Sequence, residues 1–253
     1  MSQQNISFSS DELDITSSKL LPLILYPRFS EKQYKERIGE MELLGVKSII
    51  LNGKAIVNGI HIAGKGCVGI VVKARVGNIV RALKIRRTDA VRQSMYEEAR
   101  LQKIANNTGV GPMIEGHTKN FIAMEFIPGE SIINWIGKSP ARCKTRSIAR
   151  DVLEQCFRLD TVGLDHGELS RIARHIIVSD RPRIIDFESA SAIRKTSNVT
   201  SASQSMFLHG TVANGVKNIL GNSDTEKVMV RLKAYKSSHT RDNFDALLDS
   251  LSL

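Results

Sequence analysis

Cysteine is scarce in this chain, and what there is stands in no useful pattern. Cys67, Cys143 and Cys156 form no CxxC pair and leave an odd count. That excludes a disulfide framework and a cysteine zinc site, and it points to a reducing compartment. Long apolar runs are missing too. The run Leu20-Leu21-Pro22-Leu23-Ile24-Leu25 is interrupted by Pro22 and falls far short of the ~20 residues that a membrane helix needs. The first ten residues are polar and carry no basic n-region, so no secretory signal is expected. No internal repeat is visible. The expectation is a cytoplasmic protein with no membrane partner and no disulfide-linked partner.

Acidic residues are in deficit. Against 36 Lys and Arg stand 26 Asp and Glu, a formal net charge of +10. Such a balance suits an anionic partner: a nucleotide, an acidic protein or an RNA-linked complex. A solvated basic surface has the same composition. At 253 residues with 42% hydrophobic content, the chain has enough material for one or two domains with a sizeable core.

Local signals divide the chain into three parts. Residues 1–46 read as an N-terminal extension. Its first 19 residues are rich in Ser, Gln, Asn and Asp and look loosely ordered. Ser30 then opens a helix with Gln33 in a capping-box position. Tyr34, Ile38 and Met41 form its apolar stripe, and Gly45 closes it. Residues 47–127 read as strands at 47–51, 55–62, 70–76, 80–85 and 121–127, with turns at Asn52-Gly53, Asn58-Gly59 and Gly77-Asn78. One helix interrupts them, predicted from Thr88 as N-cap to about Ala105. Residues 128–253 turn helical. Ile148, Val152, Gln155 or Cys156, and Leu159 recur at helical spacing up to Gly163. A hairpin is expected from His175–Val178 and Arg183–Phe187, followed by helices at 207–220 and 227–251.

Three motifs carry chemistry. The first is Gly64-Lys65-Gly66-Cys67-Val68-Gly69-Ile70-Val71, where glycines let a backbone approach phosphates that side chains would repel sterically. A dinucleotide-binding turn uses the same glycine string, but it needs a helix next and an acidic residue ~20 positions on. Here the sequence continues as a basic strand. A plain glycine hairpin is the bland alternative. The second motif is Lys84 in Ala-Leu-Lys-Ile, a charge among apolar strand residues, which needs a carboxylate partner on the following helix. Of Glu97 and Glu98, helical offsets place Glu98 with Val91, Met95, Leu101 and Ala105 on the apolar face. A carboxylate there is expensive unless paired. The third comprises Asp165-His166-Gly167-Glu168-Leu169-Ser170, then His175, then Asp186-Phe187-Glu188 at the end of an apolar strand. An aspartate at such a place suits Mg²⁺. Its bland alternative is a turn residue.

With these residues in hand, the chain resembles the protein-kinase-like superfamily over roughly residues 55–190. It is most similar to the compact atypical kinases, namely the RIO kinases and the kinase subunit of the KEOPS complex, and closest to predicted archaeal serine/threonine kinases. The resemblance implies a bilobal α+β kinase-like fold, with an antiparallel-sheet N-lobe and a shortened, mainly helical C-lobe. It implies ATP and Mg²⁺. Gly64, Lys65, Gly66, Cys67, Val68, Gly69 and Val71 would cradle the nucleotide together with Lys84, and Met124, Glu125 and Phe126 would meet the adenine. Glu98 would hold Lys84. Asp186, with His175 in the place of a metal-binding asparagine, would hold the metal. Glu168 stands where relatives have a catalytic aspartate, and Glu188 replaces the glycine of D-F-G. No A-P-E motif follows. The expected activity is transfer of the ATP γ-phosphate to a protein serine or threonine. The alternatives are an ATPase or small-molecule phosphotransferase, and a catalytically weak ATP-binding regulator. Arg171, Arg174, Arg181, Arg183, Arg194 and Lys195 would draw in an acidic partner.

Overall fold

A period of two runs through the central strands and decides what each face does. Ile49, Ile70, Val72, Ala74, Leu83, Ile85, Phe121 and Ala123 are all buried, and strand register places them on one face, where they build a single apolar cluster. Their neighbours in sequence, Val71, Lys73, Ala82, Lys84, Ile122 and Met124, share the opposite face. The computed structural model describes residues 11–253. It is an α+β protein with an antiparallel sheet, and its contacts divide it into two units. One holds the described residues up to Ala99 together with Met113–Phe126. The other holds Arg100–Pro112 and Ile127–Leu253.

The first unit contains β1 (Glu12–Asp14), α1 (Leu21–Ile24), α2 (Glu31–Leu43), β2 (Val46–Ile50), β3 (Ala55–Val57), β4 (Ile60–Ile62), β5 (Gly64–Lys65), β6 (Gly69–Val76) and β7 (Ile79–Arg86). The start of α3 (Tyr96–Asn107), β8 (Ile114–His117) and β9 (Phe121–Glu125) complete it. Sheet order is β1-β2-β6-β7-β9-β8, with β5 added to β6, and β3–β4 form a separate hairpin. The segment before residue 47 is therefore no separate extension. β1 pairs with β2, and Glu12 accepts two bonds from Arg75 at 2.7 and 2.9 Å. Met41 of α2 enters the sheet's apolar cluster. The expectation of loose order holds no longer for residues 12–19; residues 1–10 lie outside those described. Arg37 of α2 is fully buried. It donates to the carbonyls of Ile24 and Arg86 and to Asn120 Oδ1, and burial with Arg86 nearby pushes its pKa down to about 10.

Two local expectations need correction. The run 55–62 is two strands, because Asn58 and Gly59 both take positive φ and turn the chain between them. The helix after β7 begins at Tyr96, not Thr88. The Thr88 hydroxyl is used elsewhere, donating to the Leu25 carbonyl and accepting from the Arg28 amide. Val91 is consequently exposed rather than on a helix face.

The second unit contains β10 (Glu130–Ser131), α4 (Ile132–Gly137), α5 (Arg142–Thr161), α6 (Ile172–His175), β11 (Ile176–Val178), β12 (Pro182–Ile184), α7 (Asn198–Ser203), α8 (Thr211–Leu220), α9 (Thr225–Ser237) and α10 (Arg241–Ser250). α5 buries Ile148, Val152, Cys156 and Leu159 at helical spacing, and Gly163 at φ +70° ends it. β10, β11 and β12 form a small antiparallel sheet. The two long tail helices are each broken. A π-helical turn, Gln204–Leu208, and Gly210 at φ +98° precede α8. Between α9 and α10 the chain restarts at Thr240, whose hydroxyl accepts from the Asn243 amide. Phe157 and Phe244 stack at 4.6 Å beside Tyr235. Asp160 accepts from Tyr235, from Asn198 and from the amides of α7.

Among the described residues no helix is long and apolar enough to cross a membrane, and the three cysteines are free.

Candidate functional site

The glycine motif folds as a hairpin. Gly64 and Lys65 pair with Val71 and Ile70, and the amide of Gly66 donates to the Gly69 carbonyl at 2.8 Å across the turn holding Cys67 and Val68. Gly69 is more closely hemmed in than Gly64. A Cβ at Gly69 would come within 3.0 Å of the Ile85 carbonyl and 3.2 Å of Lys84 Cε. The motif's third glycine is thus what lets the hairpin lie directly against the lysine. Arg87 braces the turn, its amide donating to Val68 O at 2.8 Å and its guanidinium to Gly66 O. Lys65 and Arg87 both stand 5.2 Å from the Tyr26 ring centre.

Lys84 pairs across the sheet with Val71 on one side and Ile122 on the other. The three residues and Met124 therefore share one face. On that face Met95 and Ala99 of the α3 region pack against Ile122. α3 brings Glu98 to Lys84 with Nζ 2.6 Å from Oε1, the two side chains being 5% and 1% exposed. Arg92 lies 3.6 Å from the other carboxylate oxygen. Sequence reasoning missed Arg92, since it read the segment before Tyr96 as helix. Glu125 accepts from the Met113 amide through its side chain, and the Phe126 ring carries the Lys73 ammonium at 4.8 Å.

In the second unit the loop after α5 and the loop after β12 are tied together. Asp165 and Ser191 exchange backbone bonds at 2.9 and 2.8 Å. Asp165 also accepts from Arg194 Nε and from the amide and hydroxyl of Ser197. Its carboxylate is thereby committed to holding the two loops. Gly167, at φ +87°, must be glycine, because a Cβ would come within 2.6 Å of the Ser189 carbonyl and would run into Arg194. This close approach sets Glu168 against Ser189, whose hydroxyl donates to Oε1 at 2.5 Å. His175 Nε2 lies 3.0 Å from Oε2. The Ser189 bond, and after it the neighbouring His175, hold the Glu168 carboxyl below its usual range against the opposing cost of burial. Neither Ser189 nor Gly167 carries a sequence signal that points to this contact.

His166 is fully buried between the rings of His175 and Phe187, at 5.3 and 5.1 Å. Its Nε2–H donates to the Ile185 carbonyl at 3.0 Å, and its amide donates to Asn198 Oδ1. Burial pushes its pKa down to about 4, with His175 adding to the shift, so the ring is neutral near pH 7. Ile185 is held from its other side, its amide donating to the His175 carbonyl at 2.9 Å. Phe187 is fully buried, and Gly111 leaves the space its ring occupies. Between these anchors Asp186 takes φ +69°, a left-handed backbone unusual for a non-glycine residue and costing on the order of 1 kcal/mol. Such strain persists where its surroundings over-determine it, and it gathers at functional positions.

Of the basic residues expected to draw a partner, Arg171, Arg174, Arg181, Arg194 and Lys195 are exposed and Arg183 is half-buried. No group of three or more metal-binding side chains occurs among the described residues. No protein-family model matches the chain. An uncharacterized protein of Methanocaldococcus jannaschii is similar to it, 29% identical over 115 residues, which make up 45% of this chain and 98% of that protein.

Proposed function

We propose that the chain is an ATP-dependent phosphotransferase, a serine/threonine protein kinase of atypical, compact type, its two units being the lobes of a kinase-like fold. The observation that carries this reading is the buried pair Lys84–Glu98 beneath the glycine hairpin. A buried ion pair adds little net stability over an apolar pair of the same volume. Its presence on the sheet face opposite the main core calls for another reason, and holding a lysine toward phosphates supplies one. Lys84 orients phosphate oxygens while Glu98 keeps its chain extended. The hairpin from Gly64 to Gly69, with Val71 beside Lys84, covers the nucleotide with backbone instead of side chains, and the adenine meets the segment from Met124 to Phe126.

Asp186 supplies a hard carboxylate donor fixed in direction by the buried Phe187, which fits Mg²⁺. Mg²⁺ bound there would neutralise developing charge on the transferred phosphate. His175 is a softer ligand, and its ring faces Glu168. Its role in this reading is to orient that carboxylate. Glu168 positions the acceptor hydroxyl. An acidic protein or an RNA-linked complex, met by the exposed arginines, is the partner class that suits the charge.

The second reading, a catalytically weak ATP-binding regulator, draws support from one observation: both oxygens of Glu168 already have neighbours, Ser189 and His175. Thermal-shift titration with ATP and Mg²⁺ tests nucleotide binding. Transfer of labelled phosphate to an acidic protein separates kinase from regulator. The kinase reading expects a thermal shift in the wild type and loss of transfer in Asp186→Asn. An absent shift at millimolar nucleotide, or full transfer by Asp186→Asn, would sink it.

A further inference from the structure

Glu168 is the residue that positions an acceptor hydroxyl under the reading above, and a hydroxyl is already there. Ser189 Oγ donates to Glu168 Oε1 at 2.5 Å. The contact is built into the fold rather than left to a mobile side chain. Asp165 and Ser191 form a backbone bridge that sets the register of the two loops. Gly167 has no Cβ where one would meet the Ser189 carbonyl. Arg194 closes the arrangement, donating through Nη2 to the Ser189 carbonyl at 2.9 Å and through Nε to Asp165. Ser189 is only partly buried and follows Asp186 by three residues.

The neighbouring hydroxyls are engaged differently. Ser191 Oγ accepts from the amides of Ile193 and Arg194 at 3.3 and 3.1 Å, as a loop-capping group does. Ser197 Oγ donates to Asp165, whose other oxygen pairs with Arg194. Ser189 alone of these three gives its proton to the carboxylate that the reading assigns to the acceptor.

We propose that Ser189 is a phosphoacceptor in this chain's own transferase site, taking the γ-phosphoryl group of ATP in cis while hydrogen-bonded to Glu168. This rests on the phosphotransferase reading. In the step, the bond between Ser189 Oγ and the γ-phosphorus forms as the bond from that phosphorus to the β,γ-bridging oxygen breaks. ADP leaves with that electron pair, and the hydroxyl proton passes to Glu168. The product phosphate cannot stay against the carboxylate once Glu168 loses that proton, because like charges repel at such range. The Arg194 guanidinium, already bonded to the same residue's carbonyl and half-exposed, offers the opposite charge. Phosphorylation thus moves Ser189 off Glu168 and frees that carboxylate for an external hydroxyl.

The test uses the full chain with Mg²⁺ and radiolabelled ATP at several protein concentrations, with an ATP thermal shift measured in parallel. Tryptic cleavage after Arg183 and Arg194 releases residues 184–194, whose hydroxyls are Ser189 and Ser191 alone, and fragmentation assigns the phosphate between them. The expected result is label on Ser189, a rate per molecule that does not change with protein concentration, and loss of that label in Ser189→Ala with the ATP thermal shift kept. Glu168→Ala slows labelling at least tenfold with the thermal shift kept. If the thermal shift is present but label is absent, lies elsewhere, or grows faster with protein concentration, the inference is overturned and the phosphotransferase reading stands. If neither thermal shift nor label appears in the wild type, the phosphotransferase reading fails and takes this inference with it.

Discussion

Replacing Lys84 by methionine keeps the side-chain volume and removes the charge that faces Glu98. The carboxylate is 1% exposed and its near oxygen loses a partner at 2.6 Å. Breaking one side of a buried pair costs about 3–5 kcal/mol. Arg92, 3.6 Å from the other oxygen and 29% exposed, compensates in part, so the lower end of about 3 kcal/mol is expected. For a chain of this size that corresponds to a fall in Tm of roughly 6–12 °C. Adding Glu98→Leu to Lys84→Met removes the buried carboxylate that faced the lysine. The double variant should recover to within about 1 kcal/mol of wild type, because an apolar pair of similar volume replaces an ion pair at little net cost.

Urea unfolding at neutral pH reads all three proteins, and a constant m-value confirms that the denatured states are comparable. Both variants should lose the Mg²⁺–ATP thermal shift, the recovered double variant included. Stability returning without nucleotide response would separate what the pair does for the fold from what it does for the ligand. A double variant as unstable as Lys84→Met alone would refute the reasoning. The pair would then be a net stabiliser, and its burial would need no functional explanation.

Acid should weaken the protein through His166. Its folded pKa is depressed to about 4 from 6.5, so below pH 6.5 the unfolded chain takes up a proton that the folded chain refuses. Stability is therefore fully present above pH 6.5 and falls as pH drops toward 4, by about 3 kcal/mol from this residue. Urea midpoints of wild type and His166→Gln from pH 7 to 4.5 should show a shallower decline in the variant, and parallel declines would refute the assignment. Arg37→Met should lower the free energy of unfolding by about 3 kcal/mol, read as a lower urea midpoint, because it strips the donors from the buried carbonyls of Ile24 and Arg86 and from Asn120. An unchanged midpoint would show that those carbonyls find other donors.

Helical offsets select Glu98 over Glu97, and Lys84 pairs with that residue although the predicted helix begins too early. The offsets that mattered, to Met95, Leu101 and Ala105, fall on α3 or immediately before it, and all three residues are buried. The offset to Val91 was spurious, since that residue lies in the non-helical segment and is exposed. Periodicity is a local signal and survives an error in the boundary. What misplaced the boundary was Thr88. It has the chemistry of an N-cap, but its hydroxyl bonds to Leu25 and Arg28, some 60 residues away in sequence. No local rule can see that competition. The order of residues 12–19 was hidden for the same reason, since it depends on Glu12 meeting Arg75 and Ser48.

The second unit extends this distinction from the fold to the chemistry. Glu168, His175 and Asp186 are legible as candidate residues because each sits at a marked place in a short string. Their condition is not legible. That Ser189 holds Glu168 follows from a backbone bridge between Asp165 and Ser191 and from the missing Cβ of Gly167. That Asp186 is left-handed follows from His166 holding Ile185 on one side and Phe187 being buried on the other. Each cause is a contact between segments well separated in sequence. A motif names the groups available to a reaction. Which proton or charge each group holds is set by long-range contacts, and for Glu168 that contact is the one whose disruption the Ser189→Ala variant measures.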